Sequence, residues 1–483
     1  MTQRPTGAAY SVTVRLEYAN APGALGRITS VIGQGGGDIE AVDVVNSTRQ
    51  KMRRDITINT RDTHHSQELV AALRKIPGVR LVNYSDPTFL LHLGGKISVQ
   101  SKTPLRTRND LSLAYTPGVG RVSRAIYERP ADVWSLTTKG RTVAVVSDGS
   151  AVLGLGNLGP EAALPVLEGK VMLFRELAGV DAWPIALATQ EPEEIVETVK
   201  RIAPGFGGIN LEDISAPRCF DIEARLAKEL DIPVFHDDQH GTAVVVLAGL
   251  YNAERLTGKP LRDMHIVMVG LGAGGVGTAR LLTAAGARRI IGFDKGGAIH
   301  QGQDHAANSG HRWVADNTNP EGYTGDLAGA LEGADVFIGL SGPGTLSPEA
   351  AAKMADDAVV FALANPDPEL FPGSAPPNVR VMATGRSDFP NQINNALCFP
   401  GLFKGLLDVQ ARGVNREMEM EAAKAIASCV PARQLNEEYL VPNLFNRSVA
   451  PAVAKAVAEA ARKAGLARRA SRRASGASIA IHR

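Results

Sequence analysis

The chain has 483 residues, 44% hydrophobic and 21% charged, a balance that fits a globular protein of two or three domains with a substantial core. Its 52 Lys and Arg against 50 Asp and Glu leave a net charge of +2, which gives no drive toward nucleic acid or a membrane surface. Three scattered cysteines (Cys219, Cys398, Cys429) form no CxxC pair, the start lacks a signal-peptide core, and the longest apolar run, 243–251, is half a membrane span; a cytoplasmic location is expected.

Residues 1–88 read as a small α/β unit. Val12, Val14, Leu16 and Tyr18 alternate with polar residues as in a half-buried strand, and Leu25, Ile28 and Ile32 then recur at helical spacing until GQGGGD (33–38) ends the helix. Strands are predicted around 39–45 and 55–59, then a helix with Ser66 at its N-cap and Leu69, Val70 and Leu73 on one face, then a strand over 79–84. The order βαββαβ is ferredoxin-like. On EYANAPGALGRITSVIGQGGGDI (17–39) this unit resembles an ACT domain, a regulatory module that binds small ligands such as amino acids between paired copies. The resemblance implies an effector near Pro22, Gly23, Ala24 and Leu25; the alternative is a module for dimerisation only.

Residues 89–251 alternate short apolar strands with amphipathic helices, and two of the strands end in carboxylates, where ligands gather in open α/β sheets. A second α/β body is predicted over 252–440, helices that pack back on the preceding α/β bodies over 441–465, and a disordered basic tail over 466–483, whose two RRAS repeats read as solvated charge ahead of kinase sites.

VMVGLGAGGVG (267–277) sets Gly270, Gly272 and Gly275 at GxGxxG spacing between an apolar strand and a helix, the arrangement that brings a dinucleotide's diphosphate to a helix N-terminus. Asp294 ends the next strand, where a carboxylate accepts both ribose hydroxyls and favours NAD over NADP; the adjacent Lys295 softens that preference. Glu212 and Asp213 in NLEDI (210–214), with Asp237 and Asp238 in FHDDQHGTA (235–243), form two acidic pairs after apolar strands, suited to a hard cation such as magnesium or manganese. His236 and His240 stand at i, i+4, but the zinc motif HExxH needs Glu where this chain has Asp237, so zinc is rejected.

Together with YTPGVG (115–120), SAVLGLGNLG (150–159), LPVLEGK (164–170), FALANPDPE (361–369) and QINNALCFPG (392–401), these motifs stand in the order found in malic enzymes, and the chain resembles the smaller bacterial class. The resemblance implies oxidative decarboxylation of L-malate to pyruvate and carbon dioxide with a divalent metal and NAD or NADP. It implies Tyr115 as general acid, Lys170 as general base or its proton partner, and Asp237 as an acid beside the metal. Glu212, Asp213 and Asp238 correspond to the metal ligands, and Asn365 and Asn395 to residues that hold malate and the nicotinamide end. The apolar context of Lys170 argues for a pKa lowered toward a base's range. Where large malic enzymes carry a malate-binding arginine, this chain has Ala151. The expected architecture is ferredoxin-like, then substrate-and-metal, then Rossmann-type, with the site in the cleft between the last two and a homodimer or larger homo-oligomer as the assembly. Competing readings are malolactic chemistry, a silent regulatory protein and an amino-acid dehydrogenase.

Overall fold

A computed structural model describes residues 6–304 and 308–469. The chain forms two compact units, one through Ser98 and one from Val99 onward.

In the first unit, β1 (Gly7–Ala19), β2 (Asp38–Ser47), β3 (Lys51–Thr60) and β4 (Val79–Ser85) pair antiparallel in the order β2-β3-β1-β4. The predicted alternation holds: Val12, Val14, Leu16 and Tyr18 are buried and share a core with Ile28, Ile32, Leu69 and Leu73 of the helices Ala24–Gln34 and Thr63–Arg74. The cap of the second helix falls four residues before the expected Ser66, because the Asp62 side chain accepts from the His65 N–H at 2.8 Å.

The second unit holds two sheets. β5 (Thr142–Ser147), β6 (Asp181–Ala186), β7 (Gly208–Leu211) and β8 (Val234–His236) run parallel in the order β6-β5-β7-β8. Every residue of β5 is buried, as expected of a central parallel strand covered on both faces. The other sheet comprises β9 (His265–Val269), β10 (Arg289–Asp294), β11 (Gly297–Ala298), β12 (Val336–Gly339), β13 (Ala358–Ala362) and β14 (Val379–Thr384), ordered β11-β10-β9-β12-β13-β14 and parallel except for β11. The order reverses at β9, so the glycine loop that follows β9 lies at the switch point where doubly wound sheets bind ligands.

One helix, Asp237–Thr257, links the two sheets, and the division anticipated at residue 251 falls inside it. Ala243 to Leu250 are all buried, since helices Ala273–Ala284 and Arg416–Ser428 pack against it; a helix apolar on every side is a core helix. Helix Val449–Lys463 lies against helix Phe399–Asp408, where Gly401 and Gly405 let the backbones meet. The tail departs from expectation at its start: the Leu466 carbonyl accepts from the Arg412 N–H, and Arg468 is paired with Asp231. Residues 470–483, and with them the RRAS serines, lie outside the described residues. No helix among the described residues is long and apolar enough to cross a membrane.

Candidate active site

The site is built at the C-terminal ends of the strands. Helix Pro160–Ala178, which follows β5, brings Lys170 into the interior at 6% exposure. Its ammonium donates to Glu212 Oε1 at 2.8 Å and to the Asp237 carboxylate, and lies 4.2 Å from the centre of the Phe399 ring. Glu212 and Asp213 follow β7, and Asp237 and Asp238 open the linking helix after β8. Asn210 donates to Glu212 at 3.0 Å, the Asp213 N–H donates to Asp238 Oδ2 at 2.9 Å, and Asn395, from beyond β14, donates to Asp237. Lys170 and Asp238 therefore belong to one cluster, as one bound substrate touching both requires.

The electrostatics are those of a site short of positive charge. Burial, then Asp238 and Glu212, push Asp213 up to about 8. Burial likewise raises Glu212, and raises Asp237 to about 6. Burial pulls Lys170 down, but Asp237, Glu212 and Asp238 outweigh it and hold it above the ordinary lysine value. This reverses the direction expected from its apolar neighbours in sequence, because the acids arrive from two other strands.

Carboxylate oxygens of Glu212, Asp213 and Asp238 lie within 4.8 Å of one another. Asp213 Oδ2 is buried with no hydrogen-bond partner. An all-oxygen donor set with an orphaned buried carboxylate oxygen fits a hard divalent cation.

The glycine loop fits a dinucleotide. Gly270 has φ 91°, and a Cβ there would stand 2.8 Å from the Ser341 nitrogen. A Cβ at Gly275 would press on the Gly270 carbonyl, whereas one at Gly272 would point into open space, the side from which a diphosphate approaches. Gly274 and Gly277 bring the same helix against the backbone of Asp238 and Gln239, so the cofactor loop and the acids share a wall. Asp294 ends β10 as expected.

Asn365 is exposed on the loop after β13, and its carbonyl is 3.3 Å from where a Cβ of Gly154 would stand, so the loops of both sheets meet there. Tyr115, 67% exposed, is the C-cap of helix Arg108–Ala114, and no described hydrogen bond joins it to the cluster. Of the four effector candidates, Pro22 and Gly23 are exposed, Leu25 is half-buried and Ala24 is buried in the sheet's core.

Three supporting residues escaped the sequence reading. Glu223 accepts from the His236 N–H at 2.8 Å and from Gln239 at 3.0 Å, and His240 sits between Glu223 and Glu419 at 2.9 Å from each. Burial pulls that ring down, yet the two carboxylates hold it well above its usual value, so one of the two histidines that invited a zinc reading instead bridges two carboxylates in the first turn of the linking helix. Glu369, 1% exposed, accepts from the Ser341 and Ala364 N–H groups at 2.8 and 3.1 Å and joins the loops after β12 and β13. Only its place in NPDPE hints at this.

The arrangement agrees with what the chain is similar to. Residues 94–227 match the malic enzyme N-terminal domain, 239–462 the malic enzyme NAD-binding domain, and 6–83 an ACT domain. An NAD-dependent malic enzyme of Geobacillus stearothermophilus is 56% identical, over 93% of this chain and 94% of its own. A bifunctional malic/malolactic enzyme of Bacillus subtilis is 52% identical over 74% of this chain and 88% of its own. The crystal structure of the malic enzyme from Pyrococcus horikoshii superposes with a TM-score of 0.75 at 48% identity, covering 78% of this chain and 89% of that one. Buried lysine, acid cluster, nucleotide-binding sheet and these likenesses converge: the chain belongs to the malic enzymes and carries an ACT domain ahead of the catalytic body.

Proposed function

We propose that the chain converts L-malate to pyruvate and carbon dioxide, with NAD ahead of NADP as hydride acceptor and magnesium or manganese at Glu212, Asp213 and Asp238. One observation carries the reading: Lys170 is buried between Asp237 and Glu212, beside an all-oxygen acid cluster whose other wall is the glycine loop. A divalent cation held by Glu212, Asp213 and Asp238 would supply Lewis-acid stabilisation of the enolate charge, and a dinucleotide held at the glycine loop would supply the hydride acceptor.

The chain's own residues hold the substrate and move its protons. Asn395, half-buried beside Asp237, and Asn365 on the facing loop hold malate against the nicotinamide. Lys170 acts as the base in its neutral form: its amine takes the proton of the malate hydroxyl and becomes the ammonium that Asp237 and Glu212 hold. Carbon 2 is then a ketone, the distant carboxylate leaves as carbon dioxide, and Tyr115 protonates carbon 3 of the enolate. Asp294 supports NAD by accepting the ribose hydroxyls.

Tyr115 sits in a segment whose apolar side chains, among them Val99, Leu113, Val119, Val122 and Tyr127, face solvent. This supports a homodimer in which one protomer's Tyr115 completes its partner's site. Co-expressing Tyr115→Phe with Lys170→Ala then restores activity to about a quarter of wild type through mixed dimers; no restoration beyond the separate variants contradicts it. The three unpaired cysteines support a cytoplasmic location, and the exposed turn at Pro22 and Gly23 supports a small effector of the ACT domain.

Asp213→Asn and Asp238→Asn test the metal reading. Each abolishes malate-dependent cofactor reduction while circular dichroism stays native; full activity of either at limiting manganese contradicts it. The likeness to a malic/malolactic enzyme favours one second reading, release of lactate in place of pyruvate, which product analysis separates.

A further inference from the structure

We infer that His311 governs cofactor choice by fixing Asp294 against the glycine loop, an inference that rests on the reading of Asp294 as the acid on the ribose. His311 lies in the first turn of helix Ser309–Asn317, and its own N–H is held by the Asn308 side chain at 3.0 Å. Its Nε2 is 3.0 Å from the carbonyl of Leu271, between Gly270 and Gly272, and 3.0 Å from Asp294 Oδ2. A carbonyl and a carboxylate are both acceptors, so Nε2 carries the hydrogen whether the ring is neutral or charged. One N–H group thus joins the loop that receives the diphosphate to the carboxylate that meets the ribose.

The consequence is a fixed direction for Asp294. With Oδ2 occupied, Oδ1 has no hydrogen bond among the described residues and is the oxygen left for the ribose hydroxyls. A carboxylate held there repels a 2′-phosphate. Lys295 follows directly and has no ion pair among the described residues, so it is the cation to which a 2′-phosphate turns once Asp294 can swing aside. His311 is a positioning residue in this account: it touches neither hydride nor malate.

The test compares His311→Ala, His311→Gln and Asp294→Ala in the full chain, titrating NADH and NADPH by nucleotide fluorescence and following the cofactor KM against kcat. Glutamine can present an amide N–H where the imidazole presented Nε2. Expected is a drop of about tenfold in the NADH-to-NADPH affinity ratio for His311→Ala and for Asp294→Ala, the change falling on cofactor KM, with most of the ratio restored in His311→Gln. If Asp294→Ala shifts the ratio and His311→Ala does not, the role of His311 is overturned and the ribose reading stands. If Asp294→Ala also leaves the ratio unchanged, the ribose reading itself fails and takes the inference with it. Equal losses for both nucleotides in both histidine variants identify a merely structural histidine and likewise overturn it.

Discussion

Removing the Lys170 ammonium leaves the Asp237 and Glu212 carboxylates in a buried space without the cation they share. Lys170→Ala is therefore expected to abolish malate oxidation and, in chelator-treated protein, to lower stability to urea by about 3–5 kcal/mol, the usual result of orphaning a buried charge. Unchanged stability would mean that the pair is already neutralised. Tyr115→Phe touches no buried group and should leave melting unaltered. It should slow pyruvate formation by about 10²–10⁴-fold, the range of a lost general acid, while oxaloacetate reduction persists. The acid cluster adds a pH dependence. Asp213 has a folded value of about 8, raised by burial and its neighbours, so it binds a proton more readily folded than unfolded. The stability it contributes is fully present below its unfolded value and is lost as pH rises through 8. Metal-free protein should lose melting temperature between pH 5 and 8, and manganese should restore more at pH 8 than at pH 5; the opposite trend would falsify the cluster's charge account. At this scale residue identities were legible, because motif order names Lys170 and the acids. The direction of the lysine's shift was not, since it depends on carboxylates 42 and 67 positions away.

Two helices carry the packing between the acid cluster and the nucleotide loop. Helix Ala273–Ala284 meets the linking helix at Gly277, where a Cβ would come within 2.9 Å of the Gln239 Cα. Gly277→Ala should push the two helices apart, costing about 1–3 kcal/mol and raising the KM for cofactor and malate together. A rise in only one of them would show that the shared wall does not transmit. Strands and the glycine motif were readable because period-2 alternation and GxGxxG are local patterns. The linking helix was not, because its residues are apolar all round and carry no periodicity on which to set a boundary near 251. Glu223 and Glu419 escaped for a different reason. Each looks like an ordinary helix-surface acid until the fold brings His240 between them.

For the whole molecule, the division at Ser98 separates a unit with its own core from one that contains every proposed catalytic residue. A chain beginning at Val99 should oxidise malate, and should lose any response to amino acids that the full chain has. An inactive truncation that folds natively would tie the first unit to the chemistry. The βαββαβ order of that unit was legible from alternation and turns, whereas the exposure of Tyr115 was not, since no local pattern says which apolar side chains the fold leaves uncovered. The most direct measurement is a stoichiometry: purified full-length protein with L-malate, manganese and NAD, following reduced cofactor and pyruvate in the same reaction. The account predicts equal amounts of the two, abolished by chelator and restored by manganese; lactate without net cofactor reduction, or turnover unaffected by chelator, would contradict it.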